Sequence, residues 1–141
     1  MIVRVCAIVS LLLFSASNVG AESLTTDDRR AIRTVIEAQL DAFRRDDGAA
    51  AFNFASPDIR ALFRTPERFM QMVITGYMPV YRPRSVQFRD LVIEQGAPTQ
   101  KVLLVGPKGQ SVVASYQMER QDNGLWLIDG CTLERVEELP I

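Results

Sequence analysis

Val112-Val113-Ala114-Ser115-Tyr116-Gln117-Met118-Glu119 is the stretch on which the fold turns. Val112, Ala114, Tyr116 and Met118 fall on one side of it, and Val113, Ser115, Gln117 and Glu119 on the other. A period of two belongs to a strand with one face against a core. Turn signals bracket the stretch. Gly106-Pro107-Lys108-Gly109 precedes it, and Asp122-Asn123-Gly124 follows as a hairpin signal.

The same period continues outward. Lys101 to Val105 and Leu91 to Glu94 form two short runs upstream. Before them, Val86 and Phe88 alternate with Gln87 and Arg89. Leu125 to about Val136 forms the last strand. Short turns join these segments, so they pair antiparallel.

Up to Gly76 the pattern is helical instead. A first helix is predicted from about Thr26 to Asp46, with Thr25 and Asp28 as a capping pair. Asp27 and Asp28 suit the positive end of its dipole. Ile32, Val35, Ile36, Leu40 and Phe43 form its apolar stripe, and Gly48 is expected to end it. Ala49 to Phe54 reads as a short second helix, with Phe52 and Phe54 as core candidates. Ser56-Pro57-Asp58 and Thr65-Pro66-Glu67 each read as a cap followed by a first-turn proline. Ile59, Leu62 and Phe63 form the inner side of the helix after the first. Phe69, Met72 and Val73 do the same for the second. Helices followed by an antiparallel sheet make an α+β fold. The sheet is expected to curve around the first helix as a cone with one open end.

Residues 1–21 have the three parts of a secretory signal peptide. Met1 to Arg4 are positive, Val5 to Phe14 are apolar, and Ser15 to Ala21 are small and polar. The predicted cut lies between Ala21 and Glu22. The expected location is the periplasm or the exterior, with a single domain over 22–141. The apolar run is shorter than the ~20 residues that span a bilayer, so no membrane partner is expected after cleavage.

The 120 residues after Ala21 suit one domain and bury roughly two-thirds of their unfolded surface. Cys6 leaves with the leader. Cys131 then stands alone and forms no disulfide within the chain. It reads as a buried, inert thiol, since no basic residue is adjacent to lower its pKa. Without Arg4, 15 basic residues face 17 acidic ones. That balance argues against a nucleic-acid partner. The chain has no histidine. This excludes imidazole acid–base catalysis, Ser-His-Asp triads and most transition-metal sites. No cofactor and no metal is implied.

The block from Tyr77 to Phe88 is the candidate for chemistry. On a regular strand Val80, Arg82, Arg84, Val86 and Phe88 share one face. Arg82 and Arg84 then point toward the buried side, where an unpaired charge needs a partner. One reading is a guanidinium fork that receives an anionic ligand. The other is a structural ion pair, for example with Asp41 or Glu37. Pro79 and Pro83 bring in bulges, which swap faces. Tyr77 and Tyr81 are candidates to line the same hollow. The candidate ligand-binding set is therefore Tyr77, Tyr81, Arg82 and Arg84. No catalytic residue is singled out. Asp41, Asp46 and Asp47 are conceivable bases, and Asp46 and Asp47 beside Gly48 read as a solvated helix end. Gly130 reads as a bulge or a close backbone approach, and Trp126 as core.

The last strand has apolar residues on both faces. Trp126 and Ile128 lie on one, and Leu125, Leu127, Cys131 and Leu133 on the other. A wet outer face alternates more cleanly, so a homodimer through the outer sheet is expected. The C-terminal segment from Glu134 to Ile141 is the alternative cover.

Four blocks carry a resemblance. They are Ile36-Glu37-Ala38-Gln39-Leu40-Asp41-Ala42-Phe43, Ala51-Phe52-Asn53-Phe54-Ala55-Ser56-Pro57, Tyr77-Met78-Pro79-Val80-Tyr81-Arg82-Pro83-Arg84-Ser85, and Asp129-Gly130-Cys131. The chain resembles an uncharacterised bacterial domain-of-unknown-function family within the nuclear-transport-factor and ketosteroid-isomerase-like (SnoaL-like) superfamily. The resemblance implies the cystatin-like cone, and dimerisation through the outer sheet, but no activity. Three readings follow. The first is an exported protein that binds a small apolar or anionic molecule in the cone. The second is an isomerase or lyase-like enzyme, which requires a buried acid opposite a tyrosine donor. The third is an interaction or structural module with a filled cone and an exposed apolar patch.

Overall fold

The computed structural model describes residues 24–137. The expected signal peptide and Cys6 lie outside the described residues, as does the end of the C-terminal segment. Helix α1 (Thr26–Arg44) opens the described part, with α2 (Gly48–Asn53), α3 (Pro57–Phe63), α4 (Pro66–Gly76) and α5 (Met78–Tyr81) after it. Strands β1 (Ser85–Glu94), β2 (Ala97–Val105), β3 (Ser111–Arg120) and β4 (Trp126–Arg135) follow as one antiparallel sheet in chain order. The fold is α+β, with every helix before the sheet. Among the described residues no helix is long and apolar enough to cross a membrane.

The caps show why the helices start where they do. Thr25 and Asp28 form a full capping box on α1, each side chain bonded to the other's backbone N–H. Ser56 and Thr65 cap α3 and α4, each followed by proline at the first turn. Gly48 does not end α1. It begins α2, and Asp47 caps that helix by accepting from Ala50 N–H at 3.1 Å. The reversal between the two helices falls on Asp46, at φ 54°. Glycine is needed at 48 for space, since a Cβ there would stand 2.8 Å from Met70 Cγ.

Ile32, Ile36, Leu40 and Phe43 of α1 pack into one core with Val102 and Leu104 of β2 and Val112, Ala114, Tyr116 and Met118 of β3. The alternation along β3 therefore stands as read. Trp126 is buried, and its indole N–H donates to Asp28 Oδ1 at 3.2 Å, tying β4 to the first turn of α1.

Three expectations change. Val86–Phe88 and Leu91–Glu94 are one strand, β1, interrupted by a bulge at Arg89 and Asp90. The segment from Val80 to Arg84 is not strand at all. Pro79 sits in the first turn of α5, its fixed φ suits a helix start, and the sheet begins only at Ser85. The proposed face shared by Val80, Arg82 and Arg84 does not exist.

The third change is in β4. Met118 pairs with Ile128 and Gln117 with Gly130, so Asp129 is an extra residue. This bulge reverses the parity of the strand. Cys131 and Leu133 join Ile128 on the inner face, opposite Tyr116 and Ala114. The apolar character of β4 is thus largely one-sided, and the strand pattern no longer argues for a homodimer through the outer sheet.

Candidate functional site

Between the helices and the inner face of β3 and β4 lies a cavity of about 300 Å³. That is the small end of the range for ligand pockets, which run from about 300 to 1,000 Å³. Its helical walls come from the apolar stripes of α1, α3 and α4, chiefly Phe43, Ile59, Phe63, Phe69 and Val73. Phe69 anchors an aromatic cluster, with the rings of Phe52, Phe63 and Phe43 centred 5.5, 5.8 and 6.2 Å from its own. Helix α3 buries none of its residues fully. Leu62 lines the cavity yet is 69% exposed, and so marks its mouth.

Among the described residues, no charged side chain lines this cavity. Its polar groups are Gln39, Tyr77, Tyr116 and Cys131. Gln39 is buried in the apolar stripe of α1, where its Nε2 donates to Ala51 O at 3.1 Å. Tyr77 Oη donates to Cys131 O at 2.9 Å, and burial raises its pKa. The Tyr116 hydroxyl is buried with no hydrogen-bond partner among the described residues, and desolvation holds its pKa well above the ordinary tyrosine value. Burial pushes the Cys131 thiol up to about 12. It is therefore protonated and a poor nucleophile at neutral pH.

The four residues expected to bind ligand separate. Tyr77 lines the cavity. Tyr81 and Arg82 belong to a clasp around Asp46 outside it. Both Asp46 carboxylate oxygens accept from Arg82 Nη2 at 3.0 Å, and Tyr81 Oη also donates to Oδ1. Arg82 Nη1 donates to Phe43 O at 2.6 Å, satisfying a carbonyl in the last turn of α1. The Tyr81 hydrogen bond first, and the Arg82 guanidinium second, hold the Asp46 carboxyl below its ordinary value. The same bond raises the Tyr81 phenol. Asp46 and Asp47 are exposed beyond the end of α1, as read, and each is also engaged, Asp46 in an ion pair with Arg82 and Asp47 as the cap of α2. Arg84 is exposed and has no ion pair among the described residues. Asp41 and Glu37, its conceivable partners, pair with Arg45 and Arg33. The anion-receiving fork is not formed, because the strand geometry that would aim it inward is absent.

Gln39 and Tyr116 are lining residues that the candidate set left out. The available signal was a glutamine between Ile36 and Leu40 in an otherwise apolar stripe. Among the described residues no carboxylate lines the cavity. Among the described residues, Asp58, Glu119 and Asp129 bring their ligand atoms within 4.8 Å of one another, outside the cavity. Asp129 accepts from Ser56 Oγ at 2.7 Å. Nothing beyond the carboxylates themselves points to a cation there.

A family model described as "Domain of unknown function (DUF4864)" matches residues 25–140. No curated protein and no solved structure matches the chain.

Proposed function

The chain belongs to the domain-of-unknown-function family DUF4864, and for this member we propose an exported carrier that holds a small, uncharged apolar molecule in the cavity beneath α3. The observation that carries the proposal is a hollow of about 300 Å³ walled mainly by aromatic and aliphatic side chains and, among the described residues, by no charged one. An ion entering it would lose its water and meet no counter-charge, at a cost of several kcal/mol. An apolar guest gains about 25 cal/mol for each Å² removed from water.

Export rests on the leader pattern of residues 1–21, which the family match leaves outside. The helices-first, sheet-second order supports the resemblance to the nuclear-transport-factor and ketosteroid-isomerase-like superfamily. The anionic ligand loses its support, because Arg82 is engaged by Asp46 and Arg84 is exposed.

A thermal-shift screen against matched apolar molecules, neutral and ionised, tests the proposal. A ligand held at 100 times its dissociation constant adds about 2.7 kcal/mol of stability. The neutral members give that gain, and Arg84→Met retains it. A screen in which only ionised molecules stabilise, or none do, overturns the carrier. Intact mass of the protein recovered from outside the cytoplasm tests export, the expected species beginning at Glu22.

A further inference from the structure

Polar groups are few in the cavity, and their hydrogen bonds can be accounted for one by one. The Tyr77 hydroxyl is engaged by Cys131 O. Gln39 Nε2 is engaged by Ala51 O, and that bond fixes the amide's orientation, since the flipped amide would set oxygen against oxygen. Oε1 is left as an acceptor, with no hydrogen bond to it among the described residues. Tyr116 is 1% exposed, and its hydroxyl has no partner among them either. Its neighbour across the strands, Cys131, offers a sulfur that accepts only weakly.

Gln39 and Tyr116 thus both line the cavity, and each carries a polar atom without a hydrogen bond among the described residues, an amide oxygen that accepts and a phenol that donates. We propose that the cavity selects uncharged apolar molecules carrying one hydroxyl, which donates to Gln39 Oε1 and accepts from Tyr116 Oη. The proposal rests on the carrier reading and narrows its ligand class. An ether or carbonyl head accepts but cannot donate, so it leaves Gln39 unmet. A carboxylate repels the amide oxygen and finds no cation. A hydrocarbon satisfies neither group. Selectivity of this kind is strong where a site's buried polar groups would otherwise stay unpaired.

The test uses N-phenyl-naphthylamine, an uncharged fluorophore, displaced by octanol, octyl methyl ether or octanoate. Octanol displaces it at about tenfold lower concentration than the ether, the ratio for one hydrogen bond gained without loss elsewhere. Octanoate is the weakest of the three. Gln39→Leu and Tyr116→Phe each shrink the octanol advantage while still binding the fluorophore. The retained signal shows that both variants are folded. Tyr116→Phe removes one oxygen and keeps the ring. Equal displacement by octanol and ether, or an advantage unchanged in both variants, overturns the hydroxyl preference and leaves the carrier standing. A fluorophore that does not bind wild-type protein overturns the carrier itself.

Discussion

Tyr116 and Cys131 stand opposite each other on β3 and β4, and both face the cavity. Strict alternation from Ile128 would have set Cys131 on the outer face. The extra residue at Asp129 brings it back, and the same bulge lets the Asp129 carboxylate reach Ser56. One local irregularity therefore decides which side chains line the hollow, and it also fastens the start of α3.

Ser56 is the first place to probe that fastening. It is wholly buried, donates to Asp129 Oδ1 at 2.7 Å and accepts from Ile59 N–H at 3.3 Å as the α3 cap. Ser56→Ala removes both bonds and leaves a carboxylate oxygen short of a partner. The expected loss is about 1–3 kcal/mol, read as a lower urea midpoint at unchanged m-value. A loss under about 0.5 kcal/mol, the scale of ordinary surface substitutions, would show that the bulge and α3 are held by other contacts.

Arg82 and Arg84 are separated by one residue and should behave differently. Arg84→Met is expected to stay within about 0.5 kcal/mol of wild type, as surface changes do. Arg82→Met strips Asp46 of its bidentate partner and Phe43 O of one of its two donors, and lowers the melting temperature clearly. Arg82→Lys recovers only part, because a single ammonium cannot reproduce the fork. Equal effects at the two positions would contradict the clasp.

Acid should loosen two joints. The backbone and side chain of Thr25 hold the Asp28 carboxyl below its ordinary value of 3.8, and Tyr81 with Arg82 does the same for Asp46. A depressed folded pKa contributes stability above the unfolded value and loses it as pH falls through the folded one. Melting curves should therefore be flat for these groups near neutrality and fall progressively from about pH 4 downward. Asp46→Asn should flatten part of that acid limb. An unchanged limb would remove Asp46 from the account of acid stability.

Alkali acts through the buried thiol. Cys131 is raised from 9.0 to about 12 in the folded chain, so above pH 9 the unfolded state gives up a proton that the folded state keeps. Stability present below pH 9 is lost as pH rises toward 12. Cys131→Ala should lessen that loss. At pH 8, a water-soluble disulfide reagent should react slowly with the native protein and rapidly in denaturant. Fast native labelling would mean that the thiol is neither buried nor held neutral.

Much of this fold was legible in residues that act locally. Thr25 with Asp28, Ser56-Pro57 and Thr65-Pro66 start helices through bonds spanning three residues, and they stand as read. The alternation from Val112 to Met118 is equally local. The site was less legible, for two reasons. Beside Arg82 and Arg84, Pro79 reads as an irregularity in a strand, whereas it starts the single helical turn of α5 and removes the geometry that would aim both arginines inward. Gly130 marks a bulge in the sequence, but whether the extra residue falls before or after Cys131 and Leu133, and so which face they take, depends on the pairing with β3. Pairing of Arg82 with Asp46 spans 36 positions, and local spacing carries no trace of it.

The most direct measurement is an equilibrium titration of the uncharged fluorophore N-phenyl-naphthylamine into wild-type protein and into Met72→Trp, whose larger side chain fills the hollow from partly exposed α4. Saturation at one probe per chain in wild type, with binding lost in the folded variant, is the predicted result. An unsaturable rise, or the same isotherm for both proteins, would contradict a ligand-holding cavity.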